Sequence, residues 1–357
     1  MTSLQQLADI AGARIVNPPS SDAPVAFVGL DSQNVEPGGL FAALPGTRVH
    51  GATYAFDSAA GAILTDEAGL AIIQQTADRR PVLVVDDVRA SLGHVAAEVY
   101  GQPSQSFTLL GVTGTSGKTT TTYMLEKGLT AAGCKVGLIG TTGTKIMGRD
   151  VATELTTPEA PMLQRLFAQM RDEGVTHVVM EVSSHALMLG RVTGSDFDVA
   201  AFTNLSQDHL DFHPTMEDYF QAKALFFEPG SEMRAKRSVV CVDDEWGQRM
   251  AELAEAPVTV ATTGDADVTA ELVRIDDQGR QRIQLTADDT YEFTLPMPGA
   301  FNVANAALAA AVATTAGVEL APFLHGLEQA AVPGRMERID EGQPFVAVVD
   351  YAHKPAA

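Results

Sequence analysis

At 357 residues the chain is long enough for two or three domains with their own cores, and 45% hydrophobic against 19% charged residues argues against disorder. Forty-five acidic against 24 basic side chains leave a net charge of −21, which repels phosphate backbones and anionic lipid and disfavours nucleic acid and membrane surfaces as partners. Two cysteines, Cys134 and Cys241, exclude a disulfide framework. With no signal-peptide pattern in "MTSLQQLADIAGARIV" and no apolar run of membrane-spanning length, the expectation is a soluble, cytoplasmic protein without membrane insertion.

Residues 1–104 predict a small α/β domain, in which "APVAFVGL", "GAILTD" and "PVLVVDD" alternate with helical stretches such as "SLGHVAAEVYG". "GQPSQS" at 101–106 reads as a linker. Residues 105–332 predict a central domain. Its apolar runs "FTLLGVT", "KVGLIGT", "HVVMEVSS", "VAAFTNL" and "RSVVCVDD" have the length of buried parallel strands, with "TTTYMLEKGLTAAG" and "PMLQRLFAQMRDEG" as helices between them. That order implies a doubly wound, mostly parallel sheet with its ligands at the carboxyl ends of the strands. Residues 257–296 alternate like an antiparallel β meander inserted in the domain. Residues 333–357 begin a third domain and contribute one strand, "FVAVVDYA", with no sheet to join; the chain reads as the front of a longer protein.

"FTLLGVTGTSGKTT" places a glycine-rich loop between a strand and a helix, the context of a phosphate cradle. Gly114, Thr115, Ser116 and Gly117 supply backbone N–H groups, Lys118 reaches the terminal phosphates, the Thr119 hydroxyl suits Mg²⁺, and Thr120 closes the motif. Val112 stands where the first glycine of the strict pattern belongs; Gly111, Gly114 and Gly117 recur every third residue instead. Glu181 ends a strand beside this loop and offers Mg²⁺ a hard oxygen, although a glutamate there is often merely solvated.

Asp208, His209, Asp211 and His213 crowd one stretch after a strand. A polar turn, a second divalent site or phosphate contacts through His209 all fit it better than zinc. Lys223 lies among Tyr219, Phe220, Leu225, Phe226 and Phe227. It reads either as a snorkelling lysine or as a desolvated amine of lowered pKa, able to react with CO₂ and become an anionic metal ligand.

In chain order, "GVTGTSGKTTT", "LTTPEAP", "EVSSHAL", "FTNLSQDHLDFH", "YFQAKALFF", "GAFNVANAALAA", "GRMERID" and "VVDYAHKP" resemble the motifs of the Mur ligase family, in its MurE, tripeptide-synthetase type. The resemblance spans nearly the whole chain. It implies an ATP-dependent amide ligase of peptidoglycan precursor synthesis that adds a free amino acid to UDP-MurNAc-L-Ala-D-Glu through an acyl phosphate, with two Mg²⁺ sites. It implies three domains: a UDP-sugar-binding front, an ATP-binding centre and a Rossmann-like third of which only the start is present. A monomer is expected. Lys118, Glu181, His209 and Lys223 take the catalytic positions. Thr119, Glu181, His209 and a CO₂-derived carbamate on Lys223 take the metal positions.

Asn302 and Asn305 lie on the adenine side by the same resemblance, with Arg335 and Asp350 contacting ATP from the third domain. Thr156, Thr157, Ser183 and Arg191 hold the nucleotide-peptide, and Leu30, Ser32, Thr47, Arg48 and Val49 line the uridine and pyrophosphate loop. There Gln33 replaces the arginine of the usual D-S-R pattern. The loop variant and the ending resemble the subgroup that adds meso-diaminopimelate, with L-lysine as runner-up. Folylpolyglutamate synthetase shares the chemistry but lacks a UDP-binding front domain. A fragment that binds substrate and turns over poorly is the non-enzymatic alternative, and a GTPase switch is disfavoured because no N-K-x-D motif occurs.

Overall fold

The computed structural model describes residues 2–20, 24–339, 341–343, 345 and 347–352. It divides into two compact units: Met1–Ser106 with Pro158–Asp172 and Met188–Ser195, and Phe107–Thr157 with Glu173–Leu187 and Asp196–Ala357.

The first unit runs β1 (Thr2–Ser3), α1 (Leu4–Ala11), β2 (Arg14–Val16), β3 (Pro24–Val25), β4 (Val28–Gly29), β5 (Leu40–Ala42), β6 (Ala62–Thr65), α2 (Glu67–Gln74), β7 (Val82–Val84) and α3 (Val88–Val99). The main sheet has the order β2-β7-β6-β5-β4, parallel except that β2 runs against β7, and β1 pairs with β3. Alternation along the strands divides the apolar side chains between two cores. Leu40, Ala42 and Leu64 pack with Leu4 and Leu7, while Phe41 and Ile63 pack with Leu70 and Ile73. Caps set the helix starts. Ser3 and Gln6 form a reciprocal capping box, Asp66 accepts from Gly69 N (2.8 Å), and Asp87 from Arg89 N (2.8 Å).

The second unit contains β8 (Thr108–Thr113), α4 (Lys118–Ala131), β9 (Val136–Gly140), β10 (Gly143–Ile146) and β11 (Arg149–Val151). After α5 (Ala160–Asp172), which belongs to the first unit, come β12 (His177–Glu181), α6 (Ser184–Met188), β13 (Val199–Phe202), α7 (Met216–Ala224), β14 (Arg237–Cys241) and α8 (Glu245–Leu253). It closes with β15 (Val258–Ala261), β16 (Val268–Ile275), β17 (Gln281–Thr286), β18 (Thr290–Leu295), α9 (Ala300–Thr315), α10 (Leu320–Leu327), β19 (Glu337–Ile339) and β20 (Ala347–Val349). Eleven strands form one sheet in the order β11-β10-β9-β12-β8-β13-β14-β15-β16-β17-β18, parallel from β9 to β16. The mixed α/β, parallel-rich architecture therefore agrees with the sequence pattern.

Several local expectations change. The stretch 257–296 is not an insertion: β15 and β16 extend the parallel sheet, and only β16–β17–β18 run antiparallel. A β10–β11 hairpin, unforeseen, adds the opposite antiparallel edge. The helix "PMLQRLFAQMRDEG" and residues 188–195 cluster with the first unit, where a linear boundary had put them in the centre. The reason is contact: Gln164 Nε2 donates to Ser195 Oγ (2.9 Å), Arg171 Nη1 to Tyr100 O (2.9 Å), and a Cβ on Gly93 would come within 2.2 Å of Thr193 O. The strand expected to lack a sheet finds a partner, because Ala347–Val349 pairs antiparallel with Glu337–Ile339, and both cluster with the second unit. No helix among the described residues is long and apolar enough to cross a membrane.

Behind the glycine loop, α4 packs against α10 at a position that tolerates no side chain. A Cβ on Gly128 would come within 2.3 Å of the Phe323 ring, and Phe323 is fully buried. Alanine gains up to about 1 kcal/mol over glycine in a helix interior, but overpacking a core costs about 1–3 kcal/mol. Gly128→Ala is expected to destabilise the second unit on balance, measured as a lowered urea midpoint at unchanged m-value.

Candidate functional site

Thr113 ends β8 and Lys118 begins α4, so residues 114–117 form the turn between a buried strand and a helix N-terminus. Gly114 (φ +142°) and Gly117 (φ +88°) adopt backbone that favours glycine. Close approach matters as much: a Cβ on Gly114 would lie 1.8 Å from Thr203 Oγ1, and one on Gly117 would lie 2.4 Å from Asn305 Oδ1. Gly111 is not part of the turn. It lies within β8, where a Cβ would meet the Phe226 ring at 2.5 Å, so the three-residue recurrence of glycine joins packing in a strand to a turn.

Lys118 folds back over the loop and donates to Gly114 O and Thr115 O, both at 2.9 Å. Its neighbour Thr119 donates to Glu181 Oε1 (3.0 Å), and Thr120 is buried in the same helical turn. Glu181, only 1% exposed at the end of β12, also accepts from Thr141 N (2.8 Å) and Thr141 Oγ1 (3.1 Å). These bonds supply the compensation a buried carboxylate needs. Thr141 Oγ1 lies 3.1 Å from Thr156 Oγ1. Thr157 Oγ1 donates to Glu181 O (2.8 Å) and accepts from Ser183 N (3.2 Å), while Ser183 Oγ accepts from Ala186 N (3.1 Å).

Lys223 is 1% exposed on α7. Its amine donates to Gly114 O (3.0 Å), lies 3.4 Å from Thr113 Oγ1 and sits 4.7 Å from the Tyr219 ring centre. The snorkelling alternative is thereby excluded: the head group points at the loop. Two lysines, Lys118 and Lys223, share the Gly114 carbonyl. His209 stands in left-handed backbone (φ +52°), a strained setting for a non-glycine residue, and pairs with Asp208 at 3.0 Å. Its ring is 5.0 Å from that of His185 and 6.0 Å from that of Tyr219. His213, buried, hydrogen-bonds Ser184 Oγ (2.9 Å).

Burial pushes the Tyr219 phenol up to about 12; the charge of Asp208 adds to the rise and the hydrogen bond from Thr115 opposes it. Burial also holds His213 below the ordinary imidazole value, helped by His185, Lys223 and His209 and opposed by Asp218.

Asn302 and Asn305 are buried on α9. Asn302 donates to Pro298 O (2.7 Å) and accepts from Asn305 Nδ2 (3.1 Å), while Asn305 Oδ1 receives the Thr121 hydroxyl (3.4 Å) and abuts Gly117. Arg335 lies over the Tyr351 ring at 4.9 Å, and the Asp350 carboxylate accepts from Met336 N (2.9 Å) and Ala352 N (3.1 Å).

In the first unit, Leu30 and Ser32 are half-buried, and Thr47, Arg48 and Val49 are exposed. Asp31 closes a turn by accepting from Gln33 N (3.0 Å) and Asn34 Nδ2 (2.6 Å), which leaves the Gln33 side chain exposed. Arg191 Nε donates to Glu159 Oε1 (2.9 Å), and Arg89 approaches the other Glu159 oxygen (3.5 Å).

Thr119, Glu181, Lys118 and Lys223 thus converge on the carboxyl ends of β8 and β12. Sequence reasoning assigned no role to Thr141, Thr203, Asn204 or Tyr219, although the last three lie within motifs quoted above. No group of three or more His, Cys, Asp or Glu side chains is arranged to hold a metal ion among the described residues. A cation here would depend on the hydroxyl of Thr119 and the carboxylate of Glu181, hard oxygens of the kind Mg²⁺ takes beside a phosphate.

Since unfolded tyrosine ionises near 10, the raised Tyr219 value makes folding stability fall as pH rises from about 10 towards 12. Tyr219→Phe should flatten that fall, read from urea midpoints across the alkaline range.

Residues 112–313 match the Mur ligase middle domain, and residues 24–100 match the Mur ligase family, catalytic domain. The UDP-N-acetylmuramoyl-L-alanyl-D-glutamate–2,6-diaminopimelate ligase of Corynebacterium glutamicum is 63% identical over 93% of this chain and 66% of its own length. The ligase of the same name from Corynebacterium efficiens is 60% identical over 99% and 69%. A solved structure of a ligase with that name superposes with a TM-score of 0.80 at 29% identity, over 99% of this chain and 72% of that one. The chain spans about two thirds of the length of these curated relatives.

Proposed function

Because the chain belongs to the Mur ligase family, we propose that it is an ATP-dependent ligase that joins meso-diaminopimelate to UDP-MurNAc-L-Ala-D-Glu, forming a C–N bond in cytoplasmic peptidoglycan-precursor synthesis. The observation that carries this reading is the buried Thr119–Glu181 pair behind a glycine loop, in a chain 63% identical to a ligase named for diaminopimelate. That name also favours meso-diaminopimelate over L-lysine.

The chemistry explains the residues. A carboxylate acylates an amine poorly until one oxygen becomes a phosphate leaving group, so the γ-carboxylate of D-glutamate takes phosphate from ATP and the incoming amine displaces it. Both partners of the first step are anions. Magnesium, when bound, screens their repulsion. In this reading Gly117 and Thr120 offer N–H groups to the nucleotide, while Gly114, Thr115 and Ser116 shape the cradle, the N–H groups of Thr115 and Ser116 being held by Asn204. Lys118 leaves its loop carbonyls to meet the terminal phosphates. Thr119 and Glu181 offer oxygen to one cation, and His209 with a carbamate on Lys223 serves a second. The carbamate forms when the neutral amine of Lys223 bonds the carbon of CO₂ and releases a proton.

Asn302 and Asn305 support the loop and the adenine side, and Arg335 and Asp350 contact the nucleotide. Thr156, Thr157, Ser183 and Arg191 hold the peptide end of the substrate, the planar fork of Arg191 suiting a carboxylate or phosphate. Leu30, Ser32, Thr47, Arg48 and Val49 hold the uridine diphosphate, without the arginine that Gln33 replaces.

Purified protein given ATP, Mg²⁺, UDP-MurNAc-L-Ala-D-Glu and meso-diaminopimelate should release phosphate and form a product whose mass equals the two substrates joined less one water. Preference for L-lysine would correct the amino acid, and preference for a folate over the UDP substrate would overturn the reading. Lys223→Ala should abolish acyl-phosphate formation and recover part of it with added short carboxylic acids. Activity like that of the unsubstituted protein would remove the carbamate from the mechanism.

A further inference from the structure

The glycine loop is held from outside by the segment that follows β13. Thr203 N donates to Thr113 O (3.0 Å) and Thr203 Oγ1 to Ser116 O (2.7 Å). Thr115 N donates to Asn204 O (2.9 Å), and Ser206 N donates to Thr115 Oγ1 (3.0 Å). Asn204 does most: its Oδ1 accepts from Ser116 N (3.0 Å) and its Nδ2 donates to Ser116 O (3.1 Å), so one side-chain amide grips both faces of one loop residue. Asparagine suits this task because its carboxamide carries an acceptor and a donor side by side.

This arrangement decides which loop groups remain for a ligand. The N–H groups of Thr115 and Ser116 are turned towards Asn204, so Gly117 and the first turn of α4 supply N–H groups for an anion in their place. The same segment leads within five residues of Asn204 to Asp208 and His209. It therefore ties the position of the loop to that of the histidine.

We propose that Asn204 is a positioning residue of the nucleotide site, fixing the Ser116 peptide so that the helix N-terminus, rather than the front of the loop, presents the phosphate donors. This rests on the reading of the loop as an ATP site. Its role lies in the geometry of the loop itself, and its loss acts on nucleotide affinity while leaving the UDP substrate unaffected.

The test is calorimetric titration with Mg²⁺ and ADP, and separately with UDP-MurNAc-L-Ala-D-Glu, on the unsubstituted protein and on Asn204→Ala. Release of the Ser116 peptide predicts ADP binding weaker by about ten-fold, with UDP-substrate affinity unchanged. Asn204→Asp keeps the acceptor and loses the donor, so it should fall between the two. It carries the test by itself if the alanine variant does not fold. Unchanged ADP affinity in either variant, or equal loss of both ligands together with a lowered melting temperature, would overturn the proposal. Failure of the unsubstituted protein to bind ADP would remove the ATP reading beneath it, an outcome the variants alone do not produce.

Discussion

A carboxylate held almost entirely out of water is the constraint around which the second unit is organised. Glu181 needs donors, and it finds them in Thr119 at the start of α4 and in both polar groups of Thr141 just past β9. An unpaired buried charge costs several kcal/mol, so the ends of β8, β9 and β12 must meet at a common level. Parallel pairing of β12 with β8 and β9 delivers that level, with Glu181 beside Val112 and Met180 beside Ile139. Gly140 completes the fit, since a Cβ there would sit 2.5 Å from Glu181 Oε1. A helix N-terminus, a hydroxyl and a carboxylate are then fixed together without any loop having to close.

The second organising element is the Gly114 carbonyl. Through it Lys118, local to the loop, and Lys223, from a helix over a hundred residues further along, are held at one point. Lys223 reaches it because α7 is placed firmly. Thr215 and Asp218 form a capping box at its start, and Glu217 makes a bidentate pair with Arg249 on α8, whose guanidinium stacks near Phe220 and Trp246. Precision at the amine therefore comes from surface and half-buried contacts on the far side of the helix.

How much of this was readable beforehand differs by element. The buried parallel strands were legible because uninterrupted apolar runs such as "HVVMEV" leave few alternatives, and the glycine loop because strand, glycines and lysine follow one another in sequence. Lys223 was noticeable for its aromatic neighbours, yet only the fold tells whether such an amine turns inward. The β10–β11 hairpin escaped notice, since "GTKIMGRD" is too short and polar for a periodic signal. Placing α5 in the central domain failed because its apolar face specifies burial and not which neighbour supplies it; Ser195 and Tyr100 decide that, and neither is adjacent in sequence. Asn204 was passed over inside a recognised motif because its partner, Ser116, lies 88 residues away.

An open sheet of this width has two exposed borders, each a template on which a foreign strand can grow. One border is β11, three residues long and bearing Arg149 and Asp150. The other is β18, where Glu328 at the end of α10 reaches over to accept from the Thr294 amide (3.2 Å). A short charged rim on one side and a carboxylate stopper on the other leave little backbone for cross-molecular pairing. The antiparallel additions at the flanks thus protect a parallel interior against fibrillar growth, a solubility device that the ligand-holding centre could not itself provide.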